Sequence, residues 1–251
     1  MPKATRGIKN VLKRTSPGKS GTVNGRKCYK TTEGKVLRGI TKLLSSKLFS
    51  TGSLPDSAIA GDGRGGCWRG PGGGRKRGKA VDAQVTRLVN GSKVARRGAK
   101  MLKMTRLVFS TLRLNNLEPL IAQRVVHDGR IGTALDFVCQ RGGDELVVME
   151  LKTGFAGNRD SAAVISGRAQ TMASPCAKAR DSVYNRHLAQ LAVGLHLFSR
   201  EKETLNKLSY KGIKSVTGAL LYVNNDASSL YPLPHYWEKR GAKIAAVLGS
   251  R

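Results

Sequence analysis

The sequence predicts an α/β fold in which helices flank a central mixed β-sheet. Apolar residues recur at helical spacing in some segments and form short strand-like runs in others, and turn residues separate the two kinds of segment. From residue 80 onwards the strands and the clearest helices follow the order helix, three strands, helix, strand. This order describes an α/β sandwich with a mixed sheet.

Helices are predicted over residues 80–89, 99–110, 180–199 and 236–248. The third is the most regular, because its apolar residues are spaced by four, three, four and three positions and form one continuous stripe. That stripe consists of Tyr184, Leu188, Leu191, Leu195 and Phe198.

Strands are predicted over residues 117–126, 132–139, 145–152 and 217–224. The second and third are separated by Gln140-Arg-Gly-Gly-Asp144, whose two glycines suit a tight hairpin turn. The polar segment 154–179 is predicted to be a loose connection to the next helix.

The charge of the chain indicates a polyanionic partner. Its 251 residues include 45 Lys and Arg against 16 Asp and Glu, a formal net charge of +29. Such a chain repels itself unless it meets a polyanion, and nucleic acid is the most abundant one; an anionic membrane surface is the alternative. No run of about 18 apolar residues occurs, so no transmembrane segment is predicted. The composition does not predict an oligomeric state.

Four cysteines lie far apart, without a CxxC pair or closely spaced histidines. They are Cys28, Cys67, Cys139 and Cys176. This spacing argues against a zinc site or a disulfide framework and favours an intracellular, reducing compartment that holds nucleic acid, such as the nucleus, the cytoplasm or a virion. The basic, acid-poor N-terminus also fits a mitochondrial transit peptide, which leaves the mitochondrial matrix as an alternative.

Residues 1–79 are predicted to be a basic, Gly/Lys-rich and largely disordered N-terminal arm, and residues 80–251 a folded domain. In the arm only the segment 36–48 carries apolar residues at helical spacing, and the rest lacks the apolar surface that would offset the entropy of ordering. A cationic arm that binds the phosphates of nucleic acid is favoured over a solubilising tail.

Charged residues interrupt the apolar strand 145–152. With a period of two residues, Glu150 and Lys152 share one face of this strand, and Asp136 shares a face of the preceding strand with Ala134 and Val138. Because a Gly-Gly turn joins the two strands, the hairpin can bring Asp136 beside Glu150.

Two carboxylates so close raise each other's pKa unless a cation lies between them. Mg²⁺ satisfies this requirement, since it binds proteins through one or two carboxylates and otherwise through water and phosphate oxygens, and Mn²⁺ can substitute for it. The carbonyl of Leu151 is a further candidate ligand. Lys152 can then orient or help deprotonate a water that attacks a phosphodiester.

These motifs resemble the PD-(D/E)XK nuclease superfamily, in particular the branch of the RecB nuclease and lambda exonuclease. The resemblance rests on Asp136, on Glu150-Leu-Lys-Thr-Gly154 at the end of a strand, and on Gln190 in the phrase His187-Leu-Ala-Gln-Leu191. It covers about residues 76–238 and leaves most of the basic arm unexplained.

The resemblance implies a restriction-endonuclease-like core and a Mg²⁺- or Mn²⁺-dependent deoxyribonuclease. DNA is favoured over RNA as the substrate, and exonuclease and endonuclease action stay open. Asp136, Glu150, Lys152 and Gln190 take catalytic roles by this resemblance, and Asp136, Glu150 and Leu151 hold the metal.

One metal ligand of the family has two candidates in this chain. Asp82, four residues after Gly78, stands where the branch often has a histidine ligand. The alternative role for Asp82 is to complement the helix dipole, and Glu118 is the substitute ligand.

Six cations are predicted to contact the phosphate backbone. They are Lys76, Arg77, Lys79, Lys178, Arg180 and Arg186. Two other functions compete with a nuclease: a non-catalytic nucleic-acid-binding or packaging protein on the same fold, and a peripheral membrane protein that uses the segment 35–49 as a surface helix.

Overall fold

The computed structural model describes residues 3–23, 26–49, 73–91, 100–153 and 171–250. They form an α/β fold in which helices flank a mixed β-sheet, so this part of the prediction is confirmed. The elements in chain order are α1 (Lys3–Arg14), β1 (Gly18–Val23), β2 (Arg26–Thr31), β3 (Val36–Gly39), α2 (Ile40–Lys47), α3 (Gly73–Val89), α4 (Lys103–Leu114), β4 (Leu117–His127), β5 (Ile131–Arg141), β6 (Glu145–Thr153), α5 (Val183–Ser199), α6 (Lys202–Ser209), β7 (Ser215–Val223), β8 (Ser228–Pro232) and α7 (His235–Gly249).

Strand β5 lies at the centre of the sheet. It pairs with β4 along one edge, and on the opposite edge it pairs with β3 at its start and with β6 at its end. The strand order is β1-β2-β3-β5-β6-β7-β8, with β4 on β5. The β3–β5 and β6–β7 pairs are parallel, and the other pairs are antiparallel.

Strands β5 and β6 separate before β6 ends. Their paired register stops at Phe137 and Met149, whereas β6 stays paired with β7 as far as Thr153. Since β3 meets the same edge of β5 only at its first two residues, the edge is open between β3 and β6. This opening, formed by residues 133–136 of β5 and 150–153 of β6, is called the strand fork below.

Apolar side chains are buried on both faces of the sheet. On one face, called the α5 face, α5 packs against the sheet and joins a cluster that includes Val148 and Leu220. On the other, the α3 face, α3 and α4 cover a cluster that includes Val147, Met149 and Leu221. The strands β6 and β7 are therefore buried on both sides.

The predicted helices correspond to α3, α4, α5 and α7, and the predicted strands to β4, β5, β6 and β7. Helix α5 begins at Val183, later than predicted, because the Ser182 hydroxyl caps it by accepting a hydrogen bond from the Asn185 N–H. The short helix α6 and the half-buried edge strand β8 carry too few apolar residues to be predicted. Of the predicted loose connection, residues 154–170 lie outside the described residues, and Thr171 bridges to Arg180.

The predicted disorder of the N-terminal arm is wrong for residues 3–23 and 26–35, and the segment 36–48, which has helical spacing, contains β3 and the helix α2. Together these residues form α1, β1, β2, β3 and α2, and β3 joins the central sheet on β5. Helix α1 has few apolar residues, but Ile8 and Leu12 lie on one face and are fully buried. A segment with few apolar residues can therefore still fold when those few residues lie on one buried face. Helix α3 begins at Gly73 and so crosses the predicted boundary at residue 79, while residues 50–72 of the arm lie outside the described part of the chain.

A buried arginine attaches α1 to the body of the protein. The guanidinium of Arg124, in β4, donates to the carbonyls of Leu12 and Thr15 at the end of α1 and pairs with the carboxylate of Glu201. The side chain of Arg124 is 0% exposed and that of Glu201 is 8% exposed. This ion pair is therefore an internal tie between α1, β4 and the start of α6.

The apolar residues of α2 face the core and not a membrane surface, since Ile40 and Leu44 are each 1% exposed. None of the helices in the described ranges has the length and apolar character needed to cross a bilayer. Cys28, Cys139 and Cys176 are free thiols, and Cys67 lies outside the described residues.

Candidate active site

The β5–β6 hairpin brings two carboxylates together at the strand fork. Gly142 and Gly143 form its turn with φ angles of 60° and 97°, which side chains with a Cβ rarely adopt. Glu150 comes directly after the last β6 residue that pairs with β5, and Asp136 comes directly before the first β5 residue that pairs with β6. The Asp136 Oδ2 accepts a hydrogen bond of 2.8 Å from the Leu151 N–H. Asp136 therefore points toward the end of β6.

Glu150, Lys152 and Gln190 form a connected polar group at the same point. The Lys152 Nζ donates to Glu150 Oε1 at 2.5 Å and to Gln190 Oε1 at 3.3 Å, and the Gln190 Nε2 donates to Glu150 Oε1 at 2.6 Å. Glu150 is 5% exposed. The sequence prediction that these residues meet Asp136 at one place agrees with this geometry.

Helix α5 positions Gln190 by packing its apolar stripe on the sheet. Leu188 and Leu191, on either side of Gln190, are buried in the cluster of the α5 face. Because Glu150 and Lys152 point to that same face, the amide of Gln190 can bond both of them at once. The helix thus closes one side of the polar group with apolar side chains.

The electrostatics of the group favour an additional cation. Burial and repulsion from Asp136 raise the pKa of Glu150 to about 7, against the opposing attraction of Lys152. Burial alone would lower the pKa of Lys152, but attraction to Glu150 and Asp136 outweighs it and holds that pKa above its ordinary value. Lys152 therefore carries its charge at neutral pH, and the carboxylates still repel each other.

The donor set of the fork fits a hard divalent cation. Two carboxylates, Asp136 and Glu150, are the typical protein share of a Mg²⁺ site. The N–H and C=O of one strand residue point to the same side, so the carbonyl of Leu151, like its N–H, faces Asp136. Within the described ranges, no three His, Cys, Asp or Glu side chains cluster closely enough to form a metal site unaided. Water and substrate oxygens would complete the coordination.

Helix α3 brings Asp82 toward the fork from the opposite face of the sheet. Its close approach requires Gly78, because a Cβ there would lie 2.8 Å from the Thr153 Oγ1. One turn later, Asp82 Oδ1 accepts a hydrogen bond of 3.2 Å from the Gln123 Nε2. Burial and the nearer charges dominate the pKa shifts of Glu150 and Lys152, and the negative charge of Asp82 makes a smaller contribution to both.

Glu118, the substitute for Asp82, does not lie at the fork. It pairs across the strands with Gln140, which is four positions beyond Asp136 on β5. Four strand residues span about 13 Å. The substitute assignment is therefore wrong, since a residue at that distance cannot share a cation with Asp136.

The prediction that Asp136 shares one face with Ala134 and Val138 rests on a regular alternation of faces, and this regular alternation is wrong. Leu135 and Val138 both pack on the α5 face, whereas Phe137 packs on the α3 face, so the alternation along β5 breaks at Asp136. Directly opposite, between two regular pairs of the β4–β5 register, lies Gln123 with a φ of 56°. A left-handed residue turns its own strand, β4, locally, and the break in the alternation of β5 lies across from that turn.

The predicted phosphate contacts divide by burial. Lys76, Lys79, Lys178 and Arg180 are exposed, but Arg77 and Arg186 are only 6% and 3% exposed. Arg186 donates to both carboxylate oxygens of Asp181, at 2.5 and 2.7 Å, and its guanidinium stacks 4.4 Å from the ring of Phe49. Arg186 is therefore a structural residue at the start of α5, and the phosphate role is wrong for these two buried arginines.

The sequence prediction missed two residues next to the fork. Gln123 gave no signal, because its left-handed conformation is not encoded in its residue type. Tyr222 pairs in register with Lys152, and its hydroxyl lies 2.8 Å from His187 Nδ1. Burial and then the charges of Lys152 and Arg186 hold the pKa of His187 well below its ordinary value. This neutral imidazole lies in the wall of the site.

Comparison of the chain with protein-family models finds no matching family, and comparison with curated proteins finds no similar sequence.

Proposed function

We propose that the protein is a Mg²⁺- or Mn²⁺-dependent nuclease of the PD-(D/E)XK type that hydrolyses phosphodiester bonds of DNA. The observation that carries this proposal is the contact of Lys152, Glu150 and Gln190 beside Asp136, in an otherwise apolar layer. Burying opposed charges costs desolvation energy that their mutual attraction often does not repay, so a buried set with an additional carboxylate favours a functional role. A protein that only bound nucleic acid would gain nothing from this arrangement inside its sheet.

Asp136, Glu150 and the Leu151 carbonyl would hold the metal ion, with Asp82 approaching from α3. When bound, the ion would lower the pKa of a water and neutralise charge on the phosphate. Burial and then repulsion from Asp136 raise the pKa of Glu150, and the repulsion supports this assignment because a divalent cation would remove it.

Lys152 supplies a positively charged donor beside the scissile phosphate. Its ammonium is held by Glu150 and Gln190, so it is oriented before the substrate arrives. Because its pKa is raised, Lys152 stabilises negative charge and orients the attacking water, and it is not the base that removes the proton. Gln190 keeps both partners in position through its two amide atoms.

The basic N-terminal strands support nucleic acid as the substrate. Strands β1, β2 and β3 extend the sheet from the same edge of β5 that carries the fork. Lys19 and Lys30 lie directly opposite each other in the β1–β2 pair, which is unfavourable for two like charges unless a polyanion lies nearby. Gly132, a β5 residue that pairs with β3, lies four residues from Asp136, which is about 13 Å along the strand. A duplex in the fork would therefore also reach these strands.

The proposal is tested by incubating the full chain with end-labelled linear DNA and with covalently closed circular DNA. We expect cleavage in Mg²⁺ or Mn²⁺ and none in a chelator, because the carboxylates alone provide no activated water. Cleavage of circles would identify an endonuclease, and loss of ends without cleavage of circles an exonuclease. DNA that is bound but intact under all metal conditions would contradict the proposal and favour a packaging protein.

The role of the basic strands is tested through the salt dependence of DNA binding. The slope of log K against log salt is negative, and each lost phosphate contact makes it shallower by roughly 0.9. We expect the double substitution Lys19→Ser and Lys30→Ser to make this slope shallower by the amount that corresponds to the loss of up to two phosphate contacts. The measurement is DNA binding by fluorescence anisotropy in a chelator at several salt concentrations.

A matched control removes two exposed lysines that already pair with carboxylates. Lys207 lies 2.5 Å from Glu203, and Lys214 lies 3.2 Å from Asp144 at the far end of the hairpin. Replacing both by serine changes the net charge equally and should leave the slope unchanged. Equal slopes for the two double variants would show that only net charge matters and that β1 and β2 make no contact.

A further inference from the structure

Gln123 has a backbone conformation that is unusual for its place in the sheet. Its φ is 56° in the middle of β4. Among the described residues other than glycine, Asn116 alone shares a positive φ, and it lies in the turn between α4 and β4, where asparagine tolerates it. A long side chain in this conformation is disfavoured and persists only where the surroundings hold it, and such strain concentrates at functional sites.

The neighbours of Gln123 hold it from both sides. Asn90, just after α3, accepts a hydrogen bond from the Ala122 N–H at 3.0 Å and donates to the Ala122 carbonyl at 3.4 Å. On the other side, Arg124 is buried and tied to α1 and Glu201. The turn of the strand at Gln123 is therefore built into the fold.

This conformation places the Gln123 amide between the fork and α3. Gln123 and Asp136 occupy the unpaired step of the β4–β5 register between the pairs Ala122–Phe137 and Arg124–Leu135. Its Nε2 donates to Asp82 Oδ1 at 3.2 Å. One residue thus links the helix that carries Asp82 with the strand that carries Asp136.

We propose that Gln123 is a positioning residue that holds the Asp82 carboxylate at the metal centre. The inference rests on the proposed nuclease function, and it concerns a residue to which the PD-(D/E)XK pattern assigns no role. A neutral amide suits the task, because it orients the carboxylate by a hydrogen bond without cancelling the negative charge that a cation needs. A lysine or an arginine at this position would compete with the cation.

The test is Mn²⁺ binding to the purified full chain, measured by electron paramagnetic resonance, with Gln123→Gly. Glycine accepts the left-handed backbone without strain, so this variant removes the amide while keeping or raising the melting temperature. Loss of a residue that orients a metal ligand typically weakens metal binding by about 10–100-fold. We expect a loss in this range at an unchanged or higher melting temperature.

The Asp82→Asn background separates a role through Asp82 from any other. If Gln123 acts through Asp82, then Gln123→Gly causes little further loss of Mn²⁺ affinity in that background. Equal losses in both backgrounds would overturn the inference. Parent-like Mn²⁺ binding by Gln123→Gly, alongside lost binding by Glu150→Ala, would overturn it and leave the proposed function standing. A parent chain that neither binds Mn²⁺ nor cuts DNA would overturn both.

Discussion

Replacing Glu150 by alanine or glutamine, or Lys152 by alanine, should abolish metal-dependent cleavage of DNA. Losing the proposed metal ligand or the proposed charged donor should remove several kcal/mol of transition-state stabilisation, which corresponds to a rate loss of about a thousandfold or more. The measurement is the single-turnover cleavage rate of labelled DNA in Mg²⁺ and in Mn²⁺. Binding of DNA, measured in a chelator, should stay close to that of the parent.

The same substitutions should change stability in opposite directions. Glu150→Gln keeps the shape of the side chain and removes a buried negative charge that Asp136 repels, so the melting temperature should rise. Lys152→Ala removes the positive partner of the buried Glu150 carboxylate and should lower the melting temperature. Parent-like cleavage by either Glu150→Gln or Lys152→Ala would contradict the assignment of the site.

Removing the carboxylate of Glu201 should cause the largest loss of stability. Glu201→Ala leaves the guanidinium of Arg124 fully buried without its counter-charge, and breaking such a pair costs about 3–5 kcal/mol. The free energy of unfolding, measured by urea denaturation followed by circular dichroism, should fall by that amount. Detachment of α1 should accompany the loss, because an unpaired guanidinium that turns to solvent releases the carbonyls of Leu12 and Thr15.

Two controls separate charge burial from other effects of this change. Glu203→Ala breaks an exposed ion pair on the same helix, where the pair with Lys207 adds little, so stability should stay near that of the parent. The double change Arg124→Met with Glu201→Leu replaces the pair by apolar side chains and should lose less than Glu201→Ala alone. A Glu201→Ala protein as stable as the parent would show that the pair does not hold the fold together.

The tie at Arg124 also decides how the basic segment can be studied. Deleting residues 1–75 removes α1, α2 and the strands β1 to β3, so it would open the core cluster of the α5 face as well as remove cations. Weakened DNA binding by that deletion would report lost structure as well as lost charge. Single exposed lysines are the better probes, since they leave the core intact.

The hairpin part of the site is predictable because its information is local. The strand period puts Glu150 and Lys152 on one face, and two glycines form the turn that returns the chain to Asp136. Gln190 is also accessible to prediction, since the apolar stripe of α5 decides which side of that helix meets the sheet.

The unpredicted features depend on contacts between distant segments. Average composition concealed the order of residues 3–23 and 26–35, because a few well-spaced apolar residues and one buried arginine from β4 stabilise this part of the chain. Arg77 and Arg186 are basic residues that the fold buries, and only their position in the structure distinguishes them from exposed cations. The left-handed Gln123 belongs to the same class, since the Asn90 side chain that holds the neighbouring Ala122 backbone comes from the end of α3.

The parallel pairing of β3 with β5 has a consequence for biosynthesis. Arg38 and Gly39 leave the ribosome long before Ile131 and Gly132, the residues with which they pair. Until then β3 can pair only with β2, and such distant pairing slows folding. The entry of β3 into the central sheet should therefore await translation of β5.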